Sequence, residues 1–338
     1  MTSTGKWNDA SRIDGRRCRL AAATVGGDGV TLHHLAPDPH TVVDVFDKDT
    51  APVLEVDPGD TIVVQTLDAA GYLRPQGVPG DQQPRMFPAG RGHCLAGPIS
   101  VRTAEPGMTL AVHLTSMRPG HWGWTRAGGQ DTVLMRRLDV ADEPPAWLLW
   151  AIDPDAGSAT DQLGHTVAIA PFLGVLGLPS AEPGEQSTVP PTTQGGGNID
   201  CRDLVAGSTL YLPVTVPGAL LLLGDGHAAQ GHGEVAGTAI ECPMTTEVTL
   251  SLEATAPAPG IHAVTPTARI TFGFDEVLNN AVAAALAGML DWIQHLYGLD
   301  RAIALALASP VVDLHITQVA SDTWGVHAVL PHEAIRPS

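Results

Sequence analysis

Lysine is almost absent from this sequence: the 338 residues include only two, Lys6 and Lys48. Lysine and arginine together number 18 against 36 aspartates and glutamates, which gives a formal net charge of −18. A chain without a basic excess cannot displace the counterions of nucleic acid, and an anionic membrane surface repels it. The charge therefore argues against both partners and favours a neutral or cationic small molecule as the substrate.

Cysteine and long apolar runs are equally scarce. The four cysteines form no Cys-x-x-Cys pair, so a disulfide scaffold is excluded and reduced thiols are expected. The N-terminal segment lacks the apolar stretch of a secretory signal, and runs such as residues 218–223 are too short to span a bilayer. The sequence also contains no P-loop and no Gly-x-Ser-x-Gly elbow. These absences predict a soluble, cytoplasmic protein.

Glycine and proline, by contrast, are abundant, with 37 and 28 residues in a chain that is 44% hydrophobic. This composition indicates a large core with many turns. Pro58-Gly59 and Pro106-Gly107 each suit the centre of a type II turn that leads into a strand. Strand-like patterns cover residues 61–66, 109–114, 208–214 and 247–252. We predict a mainly β fold with a β-sandwich-like body.

The pattern changes after Phe274. An Ala- and Leu-rich stretch at 275–297 predicts a helix that Gly298 ends, and residues 301–308 predict a second, short helix. Residues 311–319 and 325–330 predict a closing hairpin. The predicted organisation is therefore a β-rich catalytic body at 1–274 and a C-terminal α+β portion at 275–338, with one helix, a short helix and a β-hairpin.

The candidate chemistry is concentrated in residues 195–243. Ten glycines in this run allow the backbone to approach a ligand closely. Carboxylates and imidazoles are the groups that ligate metals or transfer protons. Seven side chains in this run are the candidates for such chemistry: Asp200, Asp225, His227, Gln230, His232, Glu234 and Glu241.

Asp225 and His227 are two residues apart, so in a strand their side chains point to the same side; His232 and Glu234 have the same spacing. Such a pair can bind a divalent cation or act as a base with its orienting partner, or it can simply close a hydrogen-bonded turn. Glu241 stands at an apolar strand end, where burial raises a carboxyl pKa and suits acid–base work. Pairing with an arginine is the alternative.

Three further positions are candidates because of where they stand. Asp200 follows a glycine-rich turn that can present its carboxylate to a cleft or cap the turn itself. Asp68 and His93 stand where strands give way to loops, where structural roles are more common than catalytic ones. A divalent metal such as zinc, held by Asp200, Asp225 and His227, would lower the pKa of bound water to about 7.

Five blocks in order resemble the acetamidase/formamidase family. They lie at 56–69, 93–107, 171–177, 195–243 and 312–319. The resemblance implies a cytoplasmic homo-oligomer, a trimer or a dimer, that cleaves formamide, acetamide or a close relative to an acid and ammonia. By motif position it implies a pocket lined by Asp68, His93, Asp200, Asp225, His227, Gln230 and Glu241.

The chain also departs from the family pattern. His232 stands where the family usually has an aspartate, and Ala236 stands where it usually has a cysteine. His232 introduces a group that titrates near pH ~6.5. Two major amidase chemistries require a lysine, yet neither lysine lies in an amidase signature. Activated water is therefore a simpler nucleophile than Cys201 or Cys242.

These observations predict hydrolysis of a small linear amide. His227, Glu241 and Asp225 are the predicted catalytic residues. Asp68, His93, Gln230 and Glu234 are predicted to bind the substrate. One alternative is a catalytically silent β-sandwich that binds a metal or a small polar ligand. A second is a structural oligomer whose charged loops meet at subunit contacts.

Overall fold

The computed structural model describes residues 23–24, 31–256 and 258–336. Within these residues it contains 21 strands and three helices. The strands are β1 (Ala23–Thr24), β2 (Thr31–Leu35), β3 (Val42–Val43), β4 (Leu54–Val56), β5 (Thr61–Thr66), β6 (Leu95–Val101), β7 (Thr109–Pro119), β8 (Trp122–Ala127), β9 (Ala146–Asp153), β10 (Ser158–Asp161), β11 (Thr166–Ala168), β12 (Phe172–Gly177), β13 (Gly196–Asn198), β14 (Thr209–Pro213), β15 (Leu221–His227), β16 (Glu241–Cys242), β17 (Met244–Glu253), β18 (His262–Val264), β19 (Ala268–Asp275), β20 (Asp313–Gln318) and β21 (Trp324–Pro331). The helices are α1 (Val133–Arg137), α2 (Leu278–Tyr297) and α3 (Arg301–Ala308).

The strands form two large sheets. The ten-stranded sheet has the order β1-β2-β5-β17-β7-β14-β18-β19-β21-β20. The eleven-stranded sheet has the order β11-β10-β9-β8-β16-β15-β12-β13, and β6 joins it by pairing with β15, β3 and β4. Two of the pairings, β2 with β5 and β4 with β6, are parallel, and the others described are antiparallel.

The two sheets share one hydrophobic core. On β5 the side chains of Ile62 and Val64 are fully buried, while Thr61 and Val63 are partly covered and Gln65 is exposed. These residues belong to the same buried cluster as Leu173 and Leu176 of β12 in the other sheet. Facing sheets that bury one side of alternating strands form a sandwich. The prediction of a mainly β, sandwich-like body is therefore confirmed.

The two Pro-Gly turns form as predicted. Gly59 has φ 100° and Gly107 has φ 96°, values that L-residues with a side chain rarely adopt. The Asp60 amide donates to the Asp57 carbonyl at 3.0 Å, and the Met108 amide donates to the Glu105 carbonyl at 3.1 Å. The strands that follow these turns, β5 and β7, both pair with β17.

The C-terminal elements also follow the sequence pattern. Helix α2 ends at Gly298, whose φ is 64° and whose amide donates to the Gln294 carbonyl. The helix begins later than the predicted residue 275, because Asp275 still belongs to β19. The α2 side chains Ala281, Ala285 and Met289 pack in a cluster with residues of β21. The β20–β21 hairpin joins the ten-stranded sheet, and the division at residue 274 stays a prediction.

Strand β15 is the element that positions the candidate site. All seven of its residues are buried, because it pairs with β12 on one side and with β6 and β16 on the other. The described helices include none with the length and apolarity that a membrane crossing requires.

Candidate functional site

Strand β15 does not run as a regular strand through Asp225. The flanking residues pair normally with β12, Gly224 opposite Val175 and Gly226 opposite Leu173. Asp225 itself has φ 59°, in the left-handed region that favours glycine. The backbone therefore turns locally at Asp225. The alternation of side chains along a regular strand, which the sequence predicted, does not by itself fix the direction of the Asp225 side chain.

Three acidic residues of the site share this unusual backbone conformation. Asp200 has φ 51°, Asp225 has φ 59° and Glu234 has φ 44°. Only seven non-glycine residues in the described part of the chain have positive φ. Such conformations are costly, persist where the surroundings enforce them, and cluster at functional sites. The concentration of three in one cluster identifies it as a candidate site.

Gly174 of β12 provides the space for the carboxylates. A Cβ atom at this position would lie 2.5 Å from Asp225 Oδ2, 2.6 Å from Asp200 Oδ1 and 2.8 Å from His227 Cε1. The Gly174 carbonyl also accepts the amide of Asp200 at 3.1 Å. A glycine within an apolar strand signals close approach of other groups. Sequence reasoning did not use this signal and missed Gly174.

His227 lies at the centre of the cluster. Its Nε2 atom is 3.4 Å from Asp225 Oδ1 and 3.3 Å from Glu241 Oε2. Glu241 is the cross-strand partner of His227 between β15 and β16. Its other oxygen, Oε1, accepts the Ala239 amide at 2.8 Å. Glu241 therefore has one oxygen held by the backbone and one directed at the imidazole.

Gln230 orients the imidazole of His227. The Gln230 Nε2 donates to the Asp200 carbonyl at 2.7 Å, which turns Gln230 Oε1 towards His227 Nδ1 at 2.9 Å. His227 Nδ1 must then carry the proton, because the amide oxygen can only accept. His227 Nε2 thus faces the carboxylates either as a second N–H or as a lone pair available to a cation.

The cluster contains buried polar atoms that have no hydrogen-bond partner among the described residues. They are Asp200 Oδ1 and Oδ2, Asp225 Oδ1, His227 Nε2 and Glu241 Oε2. Ligand atoms of Asp200, His227 and Glu234 lie within 4.8 Å of one another, as do those of Asp225, His227 and Glu241. Orphaned oxygens around one imidazole nitrogen form a donor set that fits a divalent cation.

The acids of the cluster differ in their charge. Burial raises the pKa of Asp200 and of Glu234 well above the ordinary range, and neighbouring carboxylates add to the effect. Burial also opposes ionisation of Asp225, but the charges of His227 and His93 outweigh it and hold its pKa below the usual range. Asp225 therefore favours its ionised form, whereas Asp200 and Glu234 favour the protonated form more strongly than exposed acids do.

His227 and Glu241 are the groups suited to proton transfer. Burial opposes protonation of His227, yet the charges of Glu241 and Asp225 raise its pKa well above the usual value. Burial raises the pKa of Glu241 to about 7, against the opposing charge of His227. A carboxyl group with this pKa can accept and return a proton near neutrality.

A cavity of about 320 Å³ leads to this cluster. Asp225, Glu234 and Glu241 contribute to its wall, together with His93. The remaining wall combines apolar and basic residues, among them Ala69, Ala70, Tyr72, Arg85, Arg91, Trp124, Arg126, Trp147 and Val189. Sequence reasoning did not identify the tryptophans or the arginines, because they lie outside the acid-rich run.

The other predicted substrate-binding residues have different positions. His93 lines the cavity, with Nε2 3.9 Å from Asp225 Oδ2 and Nδ1 2.9 Å from Thr188 Oγ1. Asp68 is completely buried and accepts the Trp124 Nε1–H at 2.6 Å and the Tyr72 amide at 2.8 Å. It therefore holds two residues of the cavity wall. Gln230 acts on the imidazole, as described above.

His232 does not join the acid cluster, although Glu234 does. Its ring contacts His315 and His327, and burial with these imidazoles lowers its pKa to about 4. This value differs from the titration near pH 6.5 that the sequence suggested, because the ring is partly desolvated. Burial raises the pKa of both Cys201 and Cys242 far above neutrality, so neither supplies a thiolate nucleophile.

Comparison with known proteins identifies the family of the chain. The model of the Acetamidase/Formamidase family matches residues 33–186 and 181–331. A protein of Schizosaccharomyces pombe that bears a formamidase name is 25% identical over 231 residues, or 53% of this chain and 56% of that protein. The chain thus spans little more than half the length of this relative.

Solved structures share the fold. The acetamidase of Yersinia enterocolitica has a TM-score of 0.79 and 25% identity, over 92% of this chain and 95% of that one. The acetamidase of Bacillus halodurans has a TM-score of 0.77 over 88% and 97% of the two chains; at 24% identity this likeness concerns the fold alone. Because the family model matches nearly the whole sequence, the chain belongs to the acetamidase/formamidase family.

Proposed function

We propose that the protein hydrolyses a small linear amide to a carboxylic acid and ammonia, with activated water as the nucleophile. The observation that carries this proposal is the buried cluster around His227, whose unpartnered oxygens meet at a cavity. Membership of the family supports the reaction class. The inert thiols of Cys201 and Cys242 favour water over a covalent cysteine route.

Glu241 is the proposed general base. Its Oε2 atom is free of backbone contacts, and its pKa of about 7 leaves a large ionised fraction at neutral pH. Glu241 removes a proton from the water that attacks the amide carbon. It returns this proton to the amide nitrogen as the C–N bond breaks. The products are the acid and ammonia, and Glu241 is ionised again.

Glu234 is the proposed partner of the substrate carbonyl. It lines the cavity, and burial raises its pKa well above the ordinary value, which favours the protonated carboxyl group. A neutral carboxyl group can donate a hydrogen bond to the oxygen that becomes negative in the transition state. Removing one such donor costs about 2.7–4 kcal/mol in measured cases.

A divalent metal ion, zinc or a similar one, is proposed at this site. Asp200, Asp225 and His227 would hold it: ligand atoms of His227 lie within 4.8 Å of those of Asp200 and, in a second set, of those of Asp225, and all three residues have buried polar atoms without a partner among the described residues. When bound, such an ion lowers the pKa of water and polarises a carbonyl group. Gln230 would keep His227 Nε2 available as a ligand by holding its Nδ1–H, the arrangement typical of metal-bound imidazoles.

The cavity has room for more than the smallest amides. Its volume of about 320 Å³ and the indoles of Trp124 and Trp147 can accommodate an apolar chain of several carbons. Arg126 also lines the cavity, and its Nε is buried without a hydrogen-bond partner among the described residues. This guanidinium can attract the carboxylate product.

The homo-oligomer, a trimer or dimer, remains a prediction that light scattering with gel filtration checks.

The proposal is tested by ammonia release from formamide, acetamide, propionamide and butyramide. We expect turnover by the wild type, almost none by Asp225→Asn, and unchanged turnover by Asp49→Asn, whose carboxylate is exposed. Chelation should lower the rate and added zinc should restore it. Binding of all four amides without ammonia release would instead identify a silent binding module.

A further inference from the structure

A second cluster of metal-binding side chains lies beside the acid cluster and is not used by the proposed reaction. It consists of Asp203, His232, His315 and His327, which we call the histidine cluster. Asp203 follows β13, His232 follows β15, and the other two lie on the paired strands β20 and β21. Tertiary structure thus brings four separate segments together, and one contributes the histidine that departs from the family pattern.

The distances within the histidine cluster match those between ligands of one small cation. His232 Nε2 lies 3.0 Å from His315 Nδ1 and 3.8 Å from Asp203 Oδ1. His327 Nε2 lies 3.2 Å from Asp203 Oδ2. In a tetrahedral zinc site with bonds of about 2.0–2.1 Å, ligand atoms stand about 3.3 Å apart. The three observed distances lie around this value, and ligand atoms of all four residues lie within 4.8 Å of one another.

His327 is already oriented as a ligand. Its side chain is fully buried, and its Nδ1 lies 2.7 Å from the hydroxyl oxygen of Thr317. This contact directs Nε2 towards Asp203. A hydrogen bond on the second ring nitrogen is the arrangement that fixes metal-bound imidazoles. Two imidazoles, those of His232 and His327, face the Asp203 carboxylate, and the third, that of His315, contacts His232.

We propose that the histidine cluster binds one transition-metal ion of the zinc type. Three nitrogen ligands favour zinc, cobalt, nickel or copper over magnesium and calcium, which prefer oxygen. The side chains of His232 and Asp203 are 32% and 31% exposed, so an ion can enter from solvent. This site is separate from the acid cluster and does not depend on the proposed hydrolysis.

The bound ion would fix the loop that carries Glu234. The Gly233 amide donates to the Thr317 carbonyl at 3.0 Å, and the Val319 amide donates to the Gly233 carbonyl at 2.8 Å. These bonds tie the loop to β20, which also carries His315. A metal that joins His232 to His315 strengthens the same attachment. The role of this ion is structural: it holds the loop in which Glu234, two residues after His232, lines the cavity.

The test is the zinc content of the folded chain. Purified full-length protein is stripped with a chelator, equilibrated with zinc alone, desalted and measured by elemental analysis. We expect His315→Ala to hold one equivalent fewer than the wild type. The control His295→Ala removes an exposed imidazole on α2, and it should hold as much zinc as the wild type.

Two further variants keep the result decisive. His232→Ala removes a second, partly exposed ligand and should lose the same equivalent if His315→Ala does not fold. Asp225→Asn alters only the acid cluster, so it must retain the equivalent that His315→Ala loses, whether or not it releases ammonia. Equal zinc contents in the wild type and in both histidine-cluster variants, or no zinc in the wild type, would overturn the proposal.

Discussion

Replacement of Gly174 by alanine perturbs the site without altering any chemical group in it. The backbone of Gly174 is not in the positive-φ region, so alanine meets no conformational penalty there. The added Cβ, however, would lie 2.5 Å from Asp225 Oδ2, whereas ordinary contacts begin near 3.4 Å. The carboxylate of Asp225 must therefore retreat by about 0.9 Å, and that of Asp200 must move by a similar distance.

The size of this displacement sets the expected effect. A misplacement of about 1 Å in a catalytic arrangement can cost ~10²-fold in rate, which corresponds to about 2.7 kcal/mol. We expect kcat/KM for the best amide to fall by about this factor in Gly174→Ala. The extra methyl group also overpacks a buried region, so a destabilisation of about 1–3 kcal/mol is expected.

The assay is ammonia release at 25 °C, run beside urea unfolding to show that the variant is folded under assay conditions. Gly231→Ala is the matched control, because Gly231 lacks positive φ and a Cβ there meets nothing within 4 Å. It should retain wild-type activity. A folded Gly174→Ala with nearly full activity would refute the assignment of Asp200 and Asp225 to the reacting centre, and so would an equal loss in the control.

Three other predictions follow from the same geometry. Glu241→Gln should lower kcat about 10²–10⁴-fold, whereas Glu253→Gln, an exposed change at the end of β17, should have no effect on ammonia release. In the wild type, kcat/KM should fall as the pH drops through about 7 in a pH–rate profile, because protonation removes the base Glu241. This acidic limb of the profile should be absent from the residual rate of Glu241→Gln. It should be unmoved in His232→Asp, because the pKa of His232 is about 4. Asp68→Asn should reduce the free energy of unfolding by about 1–3 kcal/mol in urea titrations, since the amide NH₂ must face the Trp124 Nε1–H or the Tyr72 amide; an unchanged midpoint would show that this carboxylate does not hold the cavity wall.

Local pattern determined several of the strands, the two C-terminal helices and the two Pro-Gly turns. Strand β5 and helix α3 have the predicted bounds, and Gly298 ends α2 as predicted. These features depend on neighbours in the sequence: alternation along a strand, periodicity along a helix, and a glycine in the left-handed region. The sequence also determined that acid and imidazole groups would be concentrated between residues 195 and 243.

Only the tertiary structure decided which of these groups meet. Glu234 lies with Asp200 and His227, whereas His232, two residues earlier, lies with Asp203, His315 and His327. The spacing of His232 and Glu234 suggested a shared face, but Glu234 has φ 44° and the loop does not run as a strand. Pairing between strands that are distant in sequence decides where these side chains lie, because such strands form the walls of the site.

The same distinction explains the electrostatics. Composition indicated an acidic protein, but the charge of each acid depends on burial and on the groups that surround it. The pKa of Asp225 is held below the usual range and that of Glu241 is raised to about 7, although both residues are buried next to the same imidazole. Residue types and their order along the chain were thus determined by the sequence, while the protonation states and the cavity followed from packing between the strands.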